Sequence, residues 1–262
     1  MFIDSHCHLF YEDYKEDLPA VLKRAEDAGV QRFIVPATNH ETARRAVDLA
    51  EQYDSIYACV GFHPLDLEHY SEQNLASVEQ LLSHPKVVAV GEIGIDYFYD
   101  TSPRDFQREI FAMQIDIAAK HGLPIVVHTR DSVQDAVDIV VAAVHKHPQW
   151  RDKGKRGVFH CFTGSADQAT TLFDHRFLVS YPGPITFKKN DVMAQTLGEI
   201  GIENIMVETD SPYLTPVPYR GKRNEPSYIP LIARKISEIL SIPVEEVEKK
   251  TTENVYSLFL LR

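Results

Sequence analysis

The chain has 262 residues, 44% of them hydrophobic and 25% charged, enough for one large core that needs no disulfide or structural metal to fold. No apolar run reaches the roughly 18–20 residues of a membrane span, and no basic leader with an apolar stretch and a small-residue cleavage site opens the chain, so transmembrane, secreted, collagenous and disordered classes are set aside. The balance of 27 basic against 38 acidic residues gives a net charge of −11, which disfavours indiscriminate attraction to nucleic acid or anionic lipid but leaves room for a local basic rim.

Short apolar runs alternate with longer amphipathic segments from end to end. The runs are Phe2-Ile3, Arg32 to Val35, Ile56 to Val60, Val87 to Val90, Pro124 to Val127, Gly157 to Phe159, Phe177 to Val179 and Ile205 to Val207. Each is short, rich in β-branched or aromatic residues and without clean alternation, as in parallel strands buried on both faces. Helical spacing runs from Leu18 to Ala28, stopping at Gly29, from His40 to Tyr53, and from Arg104 to His121, stopping at Gly122. The stretch from Thr209 to Ser227 carries Pro212, Pro216, Pro218 and Pro226 and predicts a long ordered loop of functional importance. Ser227 to Leu240 and Val244 to Leu261 read as closing helices. Eight strands, each followed by a helix, predict an α/β fold of the (β/α)8 TIM barrel type over residues 1–262 as a single domain. An open doubly wound sheet is the structural rival, because strand order is not written in the sequence. No repeat or Gly/Ser linker divides the chain.

Five of these runs end directly in residues able to bind metal. The first leads to His6-Cys7-His8, the fourth to Glu92, the fifth to His128, the sixth to His160 and the eighth to Glu208-Thr209-Asp210. In a parallel barrel the C-terminal strand ends share one face, so these residues converge there. Alternation turns His6 and His8 one way and Cys7 the other; Cys7 and Cys161 are expected as small buried fillers. The three cysteines, Cys7, Cys59 and Cys161, are odd in number and widely spaced, which predicts reduced thiols and a cytoplasmic protein. The other histidines, His40, His69, His84, His121, His145, His147 and His175, are expected to be solvated. Imidazoles mixed with carboxylates suit zinc, manganese, iron or nickel, and His6, His8, Glu92, His128, His160 and Asp210 exceed the needs of one tetrahedral zinc, which predicts two divalent ions.

The ordered combination Asp4-Ser5-His6-Cys7-His8, Gly61-Phe62-His63-Pro64, Gly91-Glu92-Ile93-Gly94-Ile95-Asp96, Pro124 to His128, His160-Cys161-Phe162-Thr163-Gly164, Glu208-Thr209-Asp210-Ser211-Pro212 and Arg220 to Pro226 covers nearly the whole chain. It resembles the TatD family of metal-dependent deoxyribonucleases, within the amidohydrolase-type barrels. The resemblance implies one ion held by His6, His8, Glu92 and Asp210 and another by Glu92, His128 and His160, with Glu92 bridging. It implies magnesium-supported 3′ to 5′ exonuclease activity on DNA, with RNA an open alternative, although a histidine-rich site matches zinc or manganese better than magnesium. It also places His63 in the pocket, where it contacts phosphate or donates a proton to the leaving oxygen, with a structural role as the alternative.

Asp210 is placed to hold or deprotonate the attacking water, and with Glu92 and His63 makes the expected catalytic set. Arg220, Lys222 and Arg223 follow the Asp210 strand and are expected to bind phosphate from the substrate. Tyr97, Phe98 and Tyr99 follow the Glu92 strand and either stack on bases or anchor their loop. The rival function within enzymes is an amidohydrolase acting on a small amide, lactone or phosphotriester; no lysine ends the fourth or fifth strand to serve as a bridging carboxylated lysine, and the basic cluster favours phosphate. A noncatalytic metal-dependent nucleic-acid-binding module is the rival outside enzymes. No membrane association and no obligate protein partner is expected.

Overall fold

The computed structural model describes residues 1–99, 101–188 and 191–261. Its strands are β1 (Phe2–Asp4), β2 (Val30–Pro36), β3 (Ile56–Val60), β4 (Val87–Asp96), β5 (Ile125–Arg130), β6 (Gly157–Phe159), β7 (Phe177–Tyr181) and β8 (Ile205–Val207). They pair in parallel in the order of the chain. The first and last edges meet through backbone bonds from Ser5 N to Val207 O (3.2 Å), Asp210 N to His6 O (2.9 Å) and His8 N to Ser211 O (2.8 Å). The sheet is therefore a barrel and not an open doubly wound sheet.

Helices return the chain between strands: α1 (Leu18–Asp27), α2 (His40–Gln52), α3 (Glu72–Leu81), α4 (Arg104–His121), α5 (Val133–Lys146), α6 (Ala166–Asp174), α7 (Asp191–Ile200), α8 (Ile229–Leu240) and α9 (Val244–Phe259). Local chemistry sets their ends. Asn39 with Thr42 and Ser165 with Gln168 form reciprocal caps at the starts of α2 and α6, and Gly122 ends α4 in the left-handed conformation at φ 66°.

Apolar side chains pack in two places. The larger cluster lies between strands and helices and includes Phe33, Val35, Val127, Phe159, Val179, Val207 and the inner faces of α1, α2, α4, α5 and α8. The smaller cluster fills the barrel with Ile3, Ile34, Cys59, Val88, Val126, Val158, Leu178 and Met206, joined by Val255, Leu258 and Phe259 of α9. With one end packed by α9, the polar side chains collect at the opposite, C-terminal strand ends.

β4 and β5 approach closely at Gly94, which lies between Glu92 and Asp96. A Cβ on Gly94, at φ +146°, would sit 2.0 Å from the His128 carbonyl oxygen, so only glycine lets both strands keep their register here. Gly94→Ala is expected to cost about 3 kcal/mol or more, lowering the urea midpoint by about 1 M. A midpoint within about 0.2 M of the parent would show that the strands separate at little cost.

Candidate metal centre

Most strands deliver their functional side chain one pleat above the interior cluster. Val126, Val158 and Met206 belong to that cluster, so His128, His160 and Glu208, each two residues further on, face the barrel axis at its mouth. On β4, Ile93 and Ile95 join the outer core, which turns Glu92 and Asp96 inward. β1 departs from this register, because the strand ends at Asp4 and the chain then bends. Asp4 fastens the bend, accepting the His6 N–H (3.3 Å), the Thr209 N–H (3.0 Å) and the Thr209 hydroxyl (2.5 Å). His6 and His8 consequently reach the axis together, and Cys7 between them is buried with its Sγ against the Ile34 carbonyl.

Glu92 stands at the middle. Its Oε2 lies 3.2 Å from His6 Nε2 and 3.7 Å from His8 Nε2. Its Oε1 lies 2.8 Å from His160 Nε2, 3.0 Å from His128 Nδ1 and 3.3 Å from His63 Nε2. Asp210 Oδ1 closes the first group, 3.6 Å from His6 Nε2 and 3.4 Å from His8 Nε2, while the two Nε2 atoms are 3.3 Å apart. Two imidazole nitrogens 3.3 Å apart, both facing carboxylates, resemble ligands arranged around a shared cation. Donors held about 2.0–2.1 Å from one ion in a tetrahedron are separated by about 3.3–3.4 Å, and these separations cluster around that value. The second group, Glu92 Oε1, His128 Nδ1 and His160 Nε2, has edges of 3.0, 2.8 and 3.2 Å. The chemistry and spacing of both donor sets fit a divalent ion.

Three of these imidazoles have a polar group facing their far nitrogen, two of them at hydrogen-bond distance. His8 Nδ1 faces the Pro36 carbonyl at 3.0 Å, His128 Nε2 faces Asp96 Oδ2 at 3.1 Å, and His160 Nδ1 faces Glu208 Oε1 at 3.5 Å. Glu208 is itself fixed by the Cys161 N–H (2.7 Å) and the Ser180 hydroxyl (2.5 Å). Partners of this kind set the tautomer and orientation of a metal-binding histidine. Neither His6 Nδ1 nor His160 Nδ1 has a hydrogen-bond partner: His160 meets Glu208 only as an ion-pair contact, and the His6 and His160 rings stack with centroids 3.9 Å apart.

His63 differs from the others. Its Nδ1 accepts the Leu65 N–H at 3.1 Å, so the neutral ring carries its proton on Nε2, the atom that faces Glu92. Although His63, Glu92 and His128 are close enough to share an ion, this tautomer makes His63 a proton donor toward the pocket.

Burial opposes charge on Glu92, but His160, His63 and His6 outweigh it and hold the carboxyl well below its usual range. Asp210 is lowered in the same way, against its burial, by His8, His6 and His160. His8, His128 and His160 are raised: burial works against their protonation, and the carboxylates of Asp210, Asp96, Glu92 and Glu208 overcome it. Burial and the neighbouring His160 lower His6. The pocket thus pairs persistent anions with imidazoles and favours added positive charge. Access is from one side, where the His128 and Asp210 side chains are 17% and 15% exposed against 0–5% for His6, His8, Glu92 and His160.

The basic cluster divides. Arg223 grips Asp17 with both Nη atoms at 2.8 Å, reaches the Asp13 carbonyl, and covers the Tyr14 ring. Its guanidinium fastens the loop to the start of the chain, unlike the other two cations of the cluster. Arg220 rests over the Phe187 ring at 4.3 Å and Lys222 lies 5.5 Å from the Tyr219 ring; both side chains are exposed and, among the described residues, form no ion pair. The expectation for Cys161 is corrected: it is half-buried at φ 47°, because its backbone turns to give its N–H to Glu208. Of the histidines outside the pocket, His84, His121 and His147 bond to Glu51, Glu79 and Asp116. His40 is half-buried, with Nδ1 unpartnered and its ring stacked near Phe62. Sequence reasoning gave no role to Asp96, Glu208 or Asp4. Asp96 had a readable signal, since it lies two pleats beyond Glu92 and so on the same face of β4.

A (β/α)8 barrel with clustered histidines and carboxylates at its C-terminal mouth defines the class of metal-dependent hydrolases. Residues 3–260 match the profile of the TatD related DNase family, and the chain belongs to that family. It is 41% identical over 262 residues to the uncharacterized metal-dependent hydrolase YabD of Bacillus subtilis, covering 99% of each chain. It is 33% identical to the uncharacterized metal-dependent hydrolase YcfH of Escherichia coli, covering 98% of this chain and 95% of YcfH. The crystal structure of YjjV, a TatD homolog from Escherichia coli, superposes with a TM-score of 0.92 at 31% identity, covering 100% of this chain and 98% of YjjV.

Metal ligands must shed their protons, so affinity follows their titration. Glu92 and Asp210 are lowered and stay ionised near neutrality, whereas His8, His128 and His160 are raised and compete for protons. Manganese affinity measured by calorimetry is expected to fall by about tenfold or more from about pH 8 to about pH 6, with net proton release on binding. Equal affinity at both values, with no proton release, would contradict this electrostatic picture.

Proposed function

We propose that this protein hydrolyses phosphodiester bonds of DNA with two divalent ions, removing nucleotides from 3′ ends and preferring single strands. The observation that carries the reading is Glu92, whose two oxygens face two different donor sets. His6, His8, Glu92 and Asp210 would hold one ion, and Glu92, His128 and His160 the other. When bound, such a pair supplies charge for the phosphate and lowers the pKa of coordinated water.

The chain's own residues divide the remaining work. Asp210 is the more exposed carboxylate and stands beside the mouth, placed to accept a proton from attacking water. His63 presents Nε2–H to the pocket, suited to bind a phosphoryl oxygen or to protonate the leaving oxygen. Arg220 and Lys222 offer cations on the loop after β8, where a polyanion must overcome a net charge of −11. The family description names DNases, which supports this reading over an amide or lactone hydrolase; the relatives YabD and YcfH, named as uncharacterized metal-dependent hydrolases, support metal-dependent hydrolysis without choosing between those substrates. We place the protein in the cytoplasm on its reduced, widely spaced cysteines. No described helix is long and apolar enough to cross a membrane.

The test is the metal-stripped protein on end-labelled single-stranded and duplex DNA, with magnesium, manganese or zinc restored separately. Expected are progressive shortening from the 3′ end, faster on single strands, and no cleavage without metal. Asp210→Asn is expected to lower kcat by about 100-fold or more with little change in affinity for the strand. A rise in KM alone would move Asp210 to a binding role, and an enzyme that leaves every strand intact with all three metals would overturn the reading.

A further inference from the structure

Among the described residues, the large apolar side chains that stay exposed are Met1, Phe98, Tyr99, Val192, Tyr213, Val217, Tyr219 and Leu260. Five of them sit on the loops that follow β4 and β8, at the mouth of the barrel. In an eight-stranded barrel paired in chain order, β4 and β5 lie across the mouth from β8 and β1. The pair after β4 has a feature of its own. Phe98 and Tyr99, 55% and 54% exposed, meet edge to face with centroids 5.0 Å apart. The Arg130 guanidinium lies 3.9 Å from the Phe98 centroid and 4.7 Å from the Tyr99 centroid. Arg130 is exposed at the end of β5, two residues past His128, and among the described residues has no carboxylate partner.

The turn does not need these rings to hold its shape. Tyr97 anchors it, with its hydroxyl on Asp135 Oδ2 at 2.6 Å, its N–H on the Arg130 carbonyl at 2.9 Å, and Arg104 over its ring. Asp96 finishes the work: Oδ1 accepts the Phe98 and Tyr99 N–H groups at 2.9 and 3.1 Å, while Oδ2 holds His128 at 3.1 Å. One carboxylate therefore fixes the aromatic pair relative to the metal centre. Exposed rings beside a reaction centre, with a planar cation stacked on them and its N–H edge available, are what an unpaired base and its phosphate require. A base locked in a duplex offers its face to its neighbours and is not available for such stacking.

Resting on the phosphodiesterase reading above, we propose that Phe98, Tyr99 and Arg130 form a nucleotide subsite: the rings stack on an unpaired base next to the scissile phosphate, and Arg130 binds a backbone phosphate.

The test uses the full chain in a chelator, where strands bind without being cut. The probe is a short single strand carrying 2-aminopurine near its 3′ end, with a matched strand abasic at that position. Stacking quenches the 2-aminopurine fluorescence. The Phe98→Ala/Tyr99→Ala variant is expected to lose the quench and to bind the base-containing strand at least about fivefold more weakly, while binding the abasic strand like the parent. Arg130→Ala is expected to weaken both strands alike and to lower the salt slope by about one unit. An unchanged thermal midpoint checks that the variants fold. Unchanged affinity of the double variant for the base-containing strand would overturn the proposal, as would an equal loss on both strands. If the parent cleaves DNA with metal restored and the variants behave in either of those ways, only the subsite fails. A parent that neither binds nor cleaves any strand overturns the phosphodiesterase reading and the subsite together.

Discussion

Everything at the mouth of this barrel is arranged around one buried anion. Glu92 is 2% exposed and would be costly to ionise there alone, since a carboxylate removed from water must find compensating charge. Five imidazoles stand within 3.7 Å of its two oxygens. They come from the ends of β1, β5 and β6 and from the segment after β3, so the carboxylate draws on residues from position 6 to position 160. The barrel provides this convergence cheaply, because parallel strands end on the same face. It also makes the centre dependent on the register of β4, and the glycine contact against the His128 carbonyl becomes part of the site's construction.

Burying so many titratable groups side by side opposes folding, and two features offset that cost. Outer hydrogen-bond partners hold two of the rings, Asp96 for His128 and the Pro36 carbonyl for His8, while the Glu208 carboxylate faces His160 across 3.5 Å. The pairing of lowered carboxylates with raised imidazoles also gives each buried charge a partner of opposite sign, and an entering cation would take the place of the imidazole protons. Binding a divalent ion is then linked to folding, since the donor atoms meet only in the folded chain. The loop after β8 is organised with similar economy. Arg24 bonds Glu225, Arg223 bonds Asp17, and the Asn224 side chain holds the Thr209 and Tyr213 carbonyls, which leaves Arg220 and Lys222 as its exposed cations.

Much of this was legible in the sequence. The eight apolar runs became the eight strands because both faces of each are buried, and that leaves an unmistakable composition. The convergence of the histidines and carboxylates was legible for a related reason: polar residues that end apolar runs in a parallel barrel must share one face. What escaped depended on contacts between distant segments. Glu208 and Asp4 read as extra carboxylates until their hydrogen bonds to Cys161, Ser180 and Thr209 are known. Arg223 read as one of three equivalent cations, and its pairing with Asp17, 206 positions away, has no local signature. Arg130 lay outside any charge cluster, and only the packing of Phe98 and Tyr99 against it gives it significance. Asp96 was within reach, since strand periodicity placed it beside Glu92.

On the proposed two-ion reading, Glu92 joins two metal positions. Anomalous diffraction from crystals equilibrated with manganese tests it most directly. The expected result is two peaks on either side of the Glu92 carboxylate, about 3.5–4 Å apart, one beside His6, His8 and Asp210 and the other beside His128 and His160. A single peak, or two peaks of which one does not touch Glu92, would contradict the account.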